Sequence, residues 1–263
     1  MSVTVRVERI NIPSNRRESV MEQVAMEAPI NLFVNGEYVI TLLATPELQK
    51  ELALGWFLDE GVLESLDEVK DIVVDGDSVN LITEHPLKKE RLQVVGVSRL
   101  LTTACGLSAS KFFRVINEEG QRFVESAYKV KARDIIKMIQ TLEKGKLYQM
   151  TRGVHVAALF EEGRLVALAE DVGRHNTIDK VMGIGILSSI RFSNSVVVSS
   201  GRQPADMVLK VARMRIPLVV SLAGPIRSGI IAAQNTGVTL VCFVRRRQIK
   251  IYSHPDRILL NNG

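Results

Sequence analysis

The second half of the chain repeats short, almost wholly apolar segments, each followed by a turn of small residues and an amphipathic stretch. Two such units begin at Val196-Val197-Val198 and Leu218-Val219-Val220. Strands that are apolar on both faces are typically covered on both faces, and strands that alternate with helices form a layered α/β sheet. We therefore expect an α/β fold with a three-layer αβα core.

The first half of the chain has a different pattern. Two predicted hairpins turn at Asn35-Gly36 and Asp75-Gly76-Asp77, and a predicted helix runs between them from Pro46 to about Gly61. This mixture indicates a smaller α+β region. We expect a boundary between an N-terminal region, residues 1–128, and the core, residues 129–263.

Composition limits the environment in which the chain works. Its 263 residues are 46% hydrophobic and 24% charged, and no apolar run approaches the roughly 18 residues of a membrane span. The N-terminus lacks the blocks of a signal peptide, and two cysteines are no disulfide framework. We therefore expect a cytoplasmic protein without a membrane partner. A net charge of +5 suits an anionic ligand but is too small to indicate a nucleic-acid partner.

Cys105 is the candidate nucleophile. It lies in a loop of small residues within a basic stretch from His85 to Arg114, where six Lys and Arg against one Glu give a local charge of +5. Nearby cations favour the thiolate, which is the reactive form. The other cysteine, Cys242, lies in an apolar strand pattern and is expected to be structural.

The segment from Glu170 to Lys180 is the densest polar cluster. Arg174, His175 and Asn176 stand at the predicted start of a helix, where free N–H groups favour an anion. The alternative is a capped helix with a solvated first turn.

Small polar residues also follow two apolar strands. Ser200, Gly201, Arg202 and Ser221 come just after strand ends, where ligands of α/β sheets bind, and an arginine there suits phosphate. Tight turns need small residues in any α/β protein, so a purely structural role stays open. The cations of Phe243–Lys250 suit either phosphate binding or a charged sheet edge.

His155 lies in an apolar strand pattern and is either a core residue or part of a site. Zinc could pair His155 with His175, but a zinc site needs three or four ligands. No Cys-x-x-Cys or His-x-Glu pattern completes one, so we expect no zinc.

Taken together, these motifs resemble the formate dehydrogenase accessory sulfurtransferase family (FdhD), over residues 28–260. The residues that carry the resemblance are the Cys105 loop, Gly153-Val154-His155-Val156-Ala157, Glu170–Asn176 with Asp179-Lys180, Ser200-Gly201-Arg202, and Ile251-Tyr252 with His254-Pro255.

The resemblance implies a sulfur carrier needed for formate dehydrogenase activity. Cys105 would accept sulfur from a cysteine desulfurase as a persulfide and pass it to the molybdenum of bis(molybdopterin guanine dinucleotide). It further implies a homodimer and a core like that of cytidine deaminase. The family's cofactor contacts would fall on Phe243, Val244, Arg245, Arg246, Arg247 and Gln248. The earlier candidates for the same site are His155, Arg174, His175, Ser200, Gly201, Arg202 and Ser221.

One departure from the family pattern bears on mechanism. Many members carry Cys-Gly-x-Cys, whereas this chain has Ser108 in place of the second cysteine. Ser108 cannot form a disulfide with Cys105, so sulfur release would need an outside reductant or the metal. Two alternatives remain: a chaperone that binds the cofactor without sulfur chemistry, and a zinc deaminase on the same fold.

Overall fold

The structure is a computed structural model and describes residues 1–87, 91 and 123–260. The predicted nucleophile Cys105, its neighbour Ser108 and most of the basic stretch lie outside the described residues.

Residues 1–87 contain six strands and one α-helix. The predicted hairpins are confirmed, and the helix begins three residues after Pro46, because Leu48 takes a left-handed backbone conformation just before it. The elements are β1 Ser2–Asn11, β2 Arg16–Ala25, β3 Ala28–Val34, β4 Glu37–Ala44, α1 Gln49–Asp59, β5 Val69–Asp75 and β6 Ser78–Thr83.

The C-terminal half contains the predicted alternation of strands and helices. In order, its elements are β7 Val130–Lys131, α2 Ala132–Gln140, α3 Lys146–Thr151, β8 His155–Glu161, β9 Arg164–Asp171, α4 Arg174–Leu187, β10 Ser195–Ser199, α5 Ala205–Arg213, β11 Leu218–Ser221, α6 Arg227–Thr236, β12 Thr239–Arg245, β13 Gln248–Ile251 and β14 Ile258–Leu259.

A six-stranded sheet organises this half, in the order β13-β12-β11-β10-β8-β9. Strands β10, β11 and β12 are parallel, and β8 runs antiparallel to β10. The first residue of β8, the last residue of β9 and the carboxyl ends of the three parallel strands therefore share one edge. We call this the carboxyl edge.

Helices cover both faces of the sheet, because its strands are apolar on both sides. Val197 and Val219 face α4, α5 and α6, whereas Val196 and Val198 face α2. This arrangement confirms an α/β fold and gives three layers. The likeness to cytidine deaminase and the boundary near residue 128 remain predictions. In the described part of the chain, no helix is long and apolar enough to cross a membrane.

The N-terminal sheet, ordered β4-β3-β6-β5, packs against α1 and has its own hydrophobic core. Helix α1 also crosses α4 at very close range. A Cβ on Gly55 would overlap the Asp179 carbonyl, and one on Gly183 would overlap the Glu51 backbone. Two glycines thus let these helices approach backbone to backbone.

Buried ion pairs tie the two halves together. Lys180 is fully buried, and its Nζ donates to Asp171 Oδ2 at 2.6 Å and to the Thr45 carbonyl at 2.9 Å. Lys210 joins α5 to α1, since its Nζ lies 2.6 Å from Asp59 Oδ1. Buried charges need such partners, because an unpaired one would be very costly.

Strands β1 and β2 form a separate two-stranded ribbon. Val3 and Val24 oppose each other on one face and are both exposed. None of the three hydrophobic cores of the described residues contains a ribbon residue. Strand β2 was not predicted, because polar and charged residues occupy both of its faces.

Candidate functional site

Loops from several strands meet at the carboxyl edge. Ser199 pairs with Ser221 in the sheet, so the turns that follow β10 and β11 lie side by side. The Phe243 N–H donates to the Ala223 carbonyl at 3.2 Å, which brings the end of β12 to the same place. The structure therefore brings together the predicted site segments from residues that are far apart in sequence.

His155 contacts Ser200 at this edge. Its Nδ1 lies 3.2 Å from Ser200 Oγ, which also accepts a hydrogen bond from the Val156 N–H at 3.0 Å. Partial burial lowers the pKa of His155, and the nearby charge of Arg174 lowers it further. The ring is accordingly neutral near pH 7. It is half-buried at a strand start, so it is not a core histidine.

Arg174 lies directly beneath the turn that contains Gly201. A Cβ on Gly201 would stand 2.9 Å from Arg174 Cβ, so glycine allows the close approach. The Arg174 Nε is buried and has no hydrogen-bond partner among the described residues. Neither Arg174 nor the exposed Arg202 forms a salt bridge in the described part of the chain. Two cations without a salt bridge to any described residue make this edge attractive to an anion.

His175 follows Arg174 at the start of α4, as predicted, and contacts a residue that sequence reasoning missed. Its Nε2 lies 2.8 Å from Asp206 Oδ2, at the start of α5. The only sequence signal for Asp206 is an acidic residue in the first turn of the helix after Arg202, and such residues are common.

Ser221 and Gly224 shape the turn after β11. The buried Ser221 hydroxyl donates to the Gly201 carbonyl at 2.7 Å and accepts from the Ala223 N–H at 3.0 Å. Ser221 therefore stabilises both turns from the buried side. Its contact with a ligand stays a prediction. The Phe243 ring packs on Gly224, where a Cβ would collide with it.

The segment Phe243–Gln248 forms a hairpin. Strand β12 ends at Arg245, a turn follows at Arg246 and Arg247, and Gln248 begins β13, which was not predicted. The second strand could not be recognised in the sequence, because the residues of this hairpin are mostly exposed and charged.

Within this hairpin the side chains point in different directions. Val244 is buried in the core, so only its backbone could meet a ligand. Arg245 Nη1 donates to the Leu222 carbonyl at 2.9 Å and thereby spans the two turns. Arg246 and Arg247 are exposed.

A cavity of about 520 Å³ opens beside these loops on the α2 side of the sheet. Tyr148 forms part of its wall, and the Arg152 guanidinium lies 4.8 Å from the centre of the Tyr148 ring. Its lining residues are Leu142, Glu143, Tyr148, Gln149, Arg152, Val156, Ser200 and Leu222. Sequence reasoning missed Tyr148 and Arg152, because the short helix α3 was not predicted.

Much of the polar cluster from Glu170 to Lys180 is structural. Glu170 accepts hydrogen bonds from the backbone N–H groups of Leu147 and Tyr148, at 3.1 and 2.6 Å, and so caps α3. The buried Asn176 donates to the Leu43 carbonyl and to Asp171. Only Arg174 and His175 of this cluster remain available to a ligand.

Cys242 is sealed in the core, with no exposed surface, and burial raises the pKa of its thiol to about 12. It is structural, as predicted. Among residues 1–87, 91 and 123–260, no three His, Cys, Asp or Glu side chains converge in a group that could hold a metal ion.

The motifs behind the predicted family match its profile. The FdhD/NarQ family profile covers residues 25–259, which is nearly the whole chain. The chain belongs to the FdhD/NarQ family. The family predicted from the sequence motifs is thereby confirmed, and its profile begins at the last residue of the N-terminal ribbon.

Individual relatives agree with this membership. A protein of Methanothermobacter thermautotrophicus is 34% identical over 98% of this chain and 100% of its own length. One of Shouchella clausii is 33% identical over 92% of this chain and 91% of its own. Both are named sulfur carrier protein FdhD. A solved structure from Desulfotalea psychrophila, described as a formate dehydrogenase accessory protein, is 27% identical and covers 98% of this chain and 99% of its own, with a TM-score of 0.79.

Proposed function

We propose that this protein is a sulfur carrier that supports formate dehydrogenase. It accepts sulfur on Cys105 from a cysteine desulfurase and transfers it to the molybdenum of bis(molybdopterin guanine dinucleotide). Full-length relatives named as sulfur carriers support the general role, and the resemblance of the Cys105 loop supports the finer steps. We further propose that the protein works in the cytoplasm as a homodimer.

One observation carries the proposal: the chain has two cysteines, and Cys242 cannot serve as the carrier. Its side chain has no exposed surface, and its thiol pKa of about 12 leaves almost no thiolate at neutral pH. Thiol exchange requires a thiolate and access to the partner's sulfur. A sulfur carrier built from this sequence must therefore use Cys105.

The proposed loading step is a thiol exchange. The Cys105 thiolate attacks the outer sulfur of the desulfurase persulfide, the donor's S–S bond breaks, and the donor cysteine leaves as a thiolate. Cys105 now holds the persulfide. Its delivery as sulfide needs two electrons, which Ser108 cannot supply through a disulfide. An external thiol reductant or the metal itself must provide them.

The carboxyl edge is the proposed place for the cofactor's nucleotide phosphates. Arg174 and Arg202 lack salt-bridge partners among the described residues, and Gly201 and Gly224 let Arg174 and the Phe243 ring pack closely against the two turns. Guanidinium groups bind phosphate through paired, charge-assisted hydrogen bonds. We propose that Arg245 and the turn that follows it complete the phosphate contacts.

Complementation of a strain that lacks its own family member tests the sulfur step. Cys105→Ser should abolish formate dehydrogenase activity. Cys242→Ala should retain activity in proportion to the amount of folded variant in the cell. Retention of activity by Cys105→Ser, with soluble protein at the normal level, would support the chaperone without sulfur chemistry instead.

Binding of GDP tests the proposed phosphate site. Arg202→Ala should weaken GDP binding by about tenfold, as loss of a charge-assisted hydrogen bond predicts. Arg164→Ala is the matched control, because Arg164 is an exposed arginine in the β8–β9 turn, at the opposite edge of the sheet. Equal affinities of the two variants would place the phosphates elsewhere.

A further inference from the structure

Asp206 has both carboxylate oxygens engaged at the carboxyl edge. Its Oδ1 accepts from the Met207 N–H at 3.0 Å, in the first turn of α5, and its Oδ2 lies 2.8 Å from His175 Nε2, in the first turn of α4. The carboxylate is therefore held by its own helix and faces the imidazole of another.

The protonation state of this pair follows from its surroundings. Burial alone would raise the pKa of Asp206, but the hydrogen bond with His175 and the nearby positive charge outweigh it and lower that pKa. Asp206 is thus ionised at neutral pH and can only accept hydrogen bonds. His175 Nε2 must carry the hydrogen, and Nδ1 is the ring atom left for other partners.

We propose that Asp206 is a positioning residue for His175: it holds the ring hydrogen on Nε2 and orients the ring so that Nδ1 is left for a ligand beside Arg174. A carboxylate that fixes the tautomer and orientation of an imidazole is a recurrent device in functional sites. The inference rests on the proposed phosphate site, to which the His175 ring would add a polar contact.

The competing explanation is that Asp206 only caps helix α5. Asp206→Asn separates the two roles, because an asparagine oxygen can still accept from the Met207 N–H, whereas the negative charge facing His175 is lost. Asp134→Asn is the matched control, since Asp134 is a carboxylate in the first turn of α2, paired with Lys137.

NMR of the full-length protein with ¹⁵N-labelled histidine provides the first readout. The chain has four histidines, so His175→Gln assigns the signal. The wild-type ring should carry its hydrogen on Nε2, and the share of the Nδ1–H tautomer should rise in Asp206→Asn but not in Asp134→Asn, because an asparagine amide facing Nε2 is a donor. An unchanged tautomer in Asp206→Asn would overturn the proposal.

GDP affinity of the variants provides the second readout. Binding should weaken several-fold in Asp206→Asn and stay unchanged in Asp134→Asn, because His175 would no longer present the same ring atom to the ligand. Equal GDP affinities of Asp206→Asn and wild type would overturn the role in ligand binding. If wild-type protein does not bind GDP at all, the proposed nucleotide site fails, and the NMR tautomer alone decides whether Asp206 positions His175.

Discussion

At the scale of single residues, we expect the two cysteines to behave differently. Cys242 lies between apolar neighbours in β12 and is fully buried, so its thiol resists ionisation. The sequence around Cys105 has a local charge of +5, which would favour a thiolate. A single-site sulfur carrier needs one reactive thiol, and we propose that Cys105 supplies it.

Thiol counting with a disulfide reagent at pH 8 checks this contrast. We expect the folded protein to react at one thiol per chain, because a pKa of about 12 leaves Cys242 only about one part in ten thousand ionised. Cys105→Ser should show no reactive thiol until a denaturant unfolds it. Two fast thiols in the folded wild-type protein would contradict the burial of Cys242.

At the scale of elements, the crossing of α1 and α4 depends on glycine. Glycine in a helix interior normally costs stability relative to alanine. Gly55 and Gly183 lie at positions where any side chain would overlap the backbone of the other helix. The contact they allow attaches the N-terminal sheet to the six-stranded sheet.

Gly55→Ala should therefore destabilise the protein, despite the better helix propensity of alanine. We expect the free energy of unfolding in urea to fall by about 2–3 kcal/mol, as overpacking predicts. Gly153→Ala is the control, since a Cβ there would meet no atom closer than 3.7 Å. A Gly55→Ala protein as stable as the Gly153→Ala protein would show that the helices do not cross this closely.

The ribbon formed by β1 and β2 should be dispensable for folding. It contributes to none of the three cores of described residues, and the family profile begins only at residue 25. Removal of residues 1–24 should change the free energy of unfolding by less than about 1 kcal/mol, because an isolated hairpin adds little stability. Urea titration followed by circular dichroism measures the change, and a loss of several kcal/mol would contradict this account.

Parts of the architecture and of the site could be predicted from sequence. Apolar strands alternating with helices indicated the sheet, and strand ends with small residues indicated the carboxyl edge. Strand β13 was missed because its turn is charged. The structural role of Lys180 was missed because its partner Thr45 is 135 residues away. Likewise, nothing local shows that Asp206 meets His175.

At the scale of the whole molecule, a buried cluster of charges joins the two halves. Lys210 lies on α5. Its Nζ is within 2.9 Å of carboxylate oxygens of Asp59 at the end of α1, of Glu60 just after α1 and of Asp179 on α4. Three carboxylates around one ammonium leave excess negative charge. Burial and the charge of Asp179 hold the pKa of Asp59 well above its usual value.

This raised pKa links stability to pH. As pH rises from about 4 toward the folded pKa, the unfolded Asp59 loses its proton before the folded one does, so the free energy of unfolding falls. Lys210, whose pKa is also raised, loses its stabilising contribution only in alkaline solution. Asp59→Asn should therefore flatten the fall in stability that begins at about pH 4, where one such group contributes up to about 1.4 kcal/mol per pH unit.

Urea unfolding of wild type and variant at several pH values measures this slope. Asp134→Asn is the control, because a hydrogen bond from Lys137 lowers the pKa of Asp134 and its effect is confined to acid solution. Equal slopes for wild type and Asp59→Asn above about pH 4 would contradict a raised pKa of Asp59 in the cluster.

Mass spectrometry after incubation with a cysteine desulfurase and L-cysteine tests whether Cys105 carries sulfur. We expect one extra sulfur atom on the peptide that contains Cys105, none on the peptide that contains Cys242, and none anywhere in Cys105→Ser. An unmodified Cys105, under conditions in which the desulfurase itself carries its persulfide, would contradict the proposed function, as would sulfur bound to Cys242.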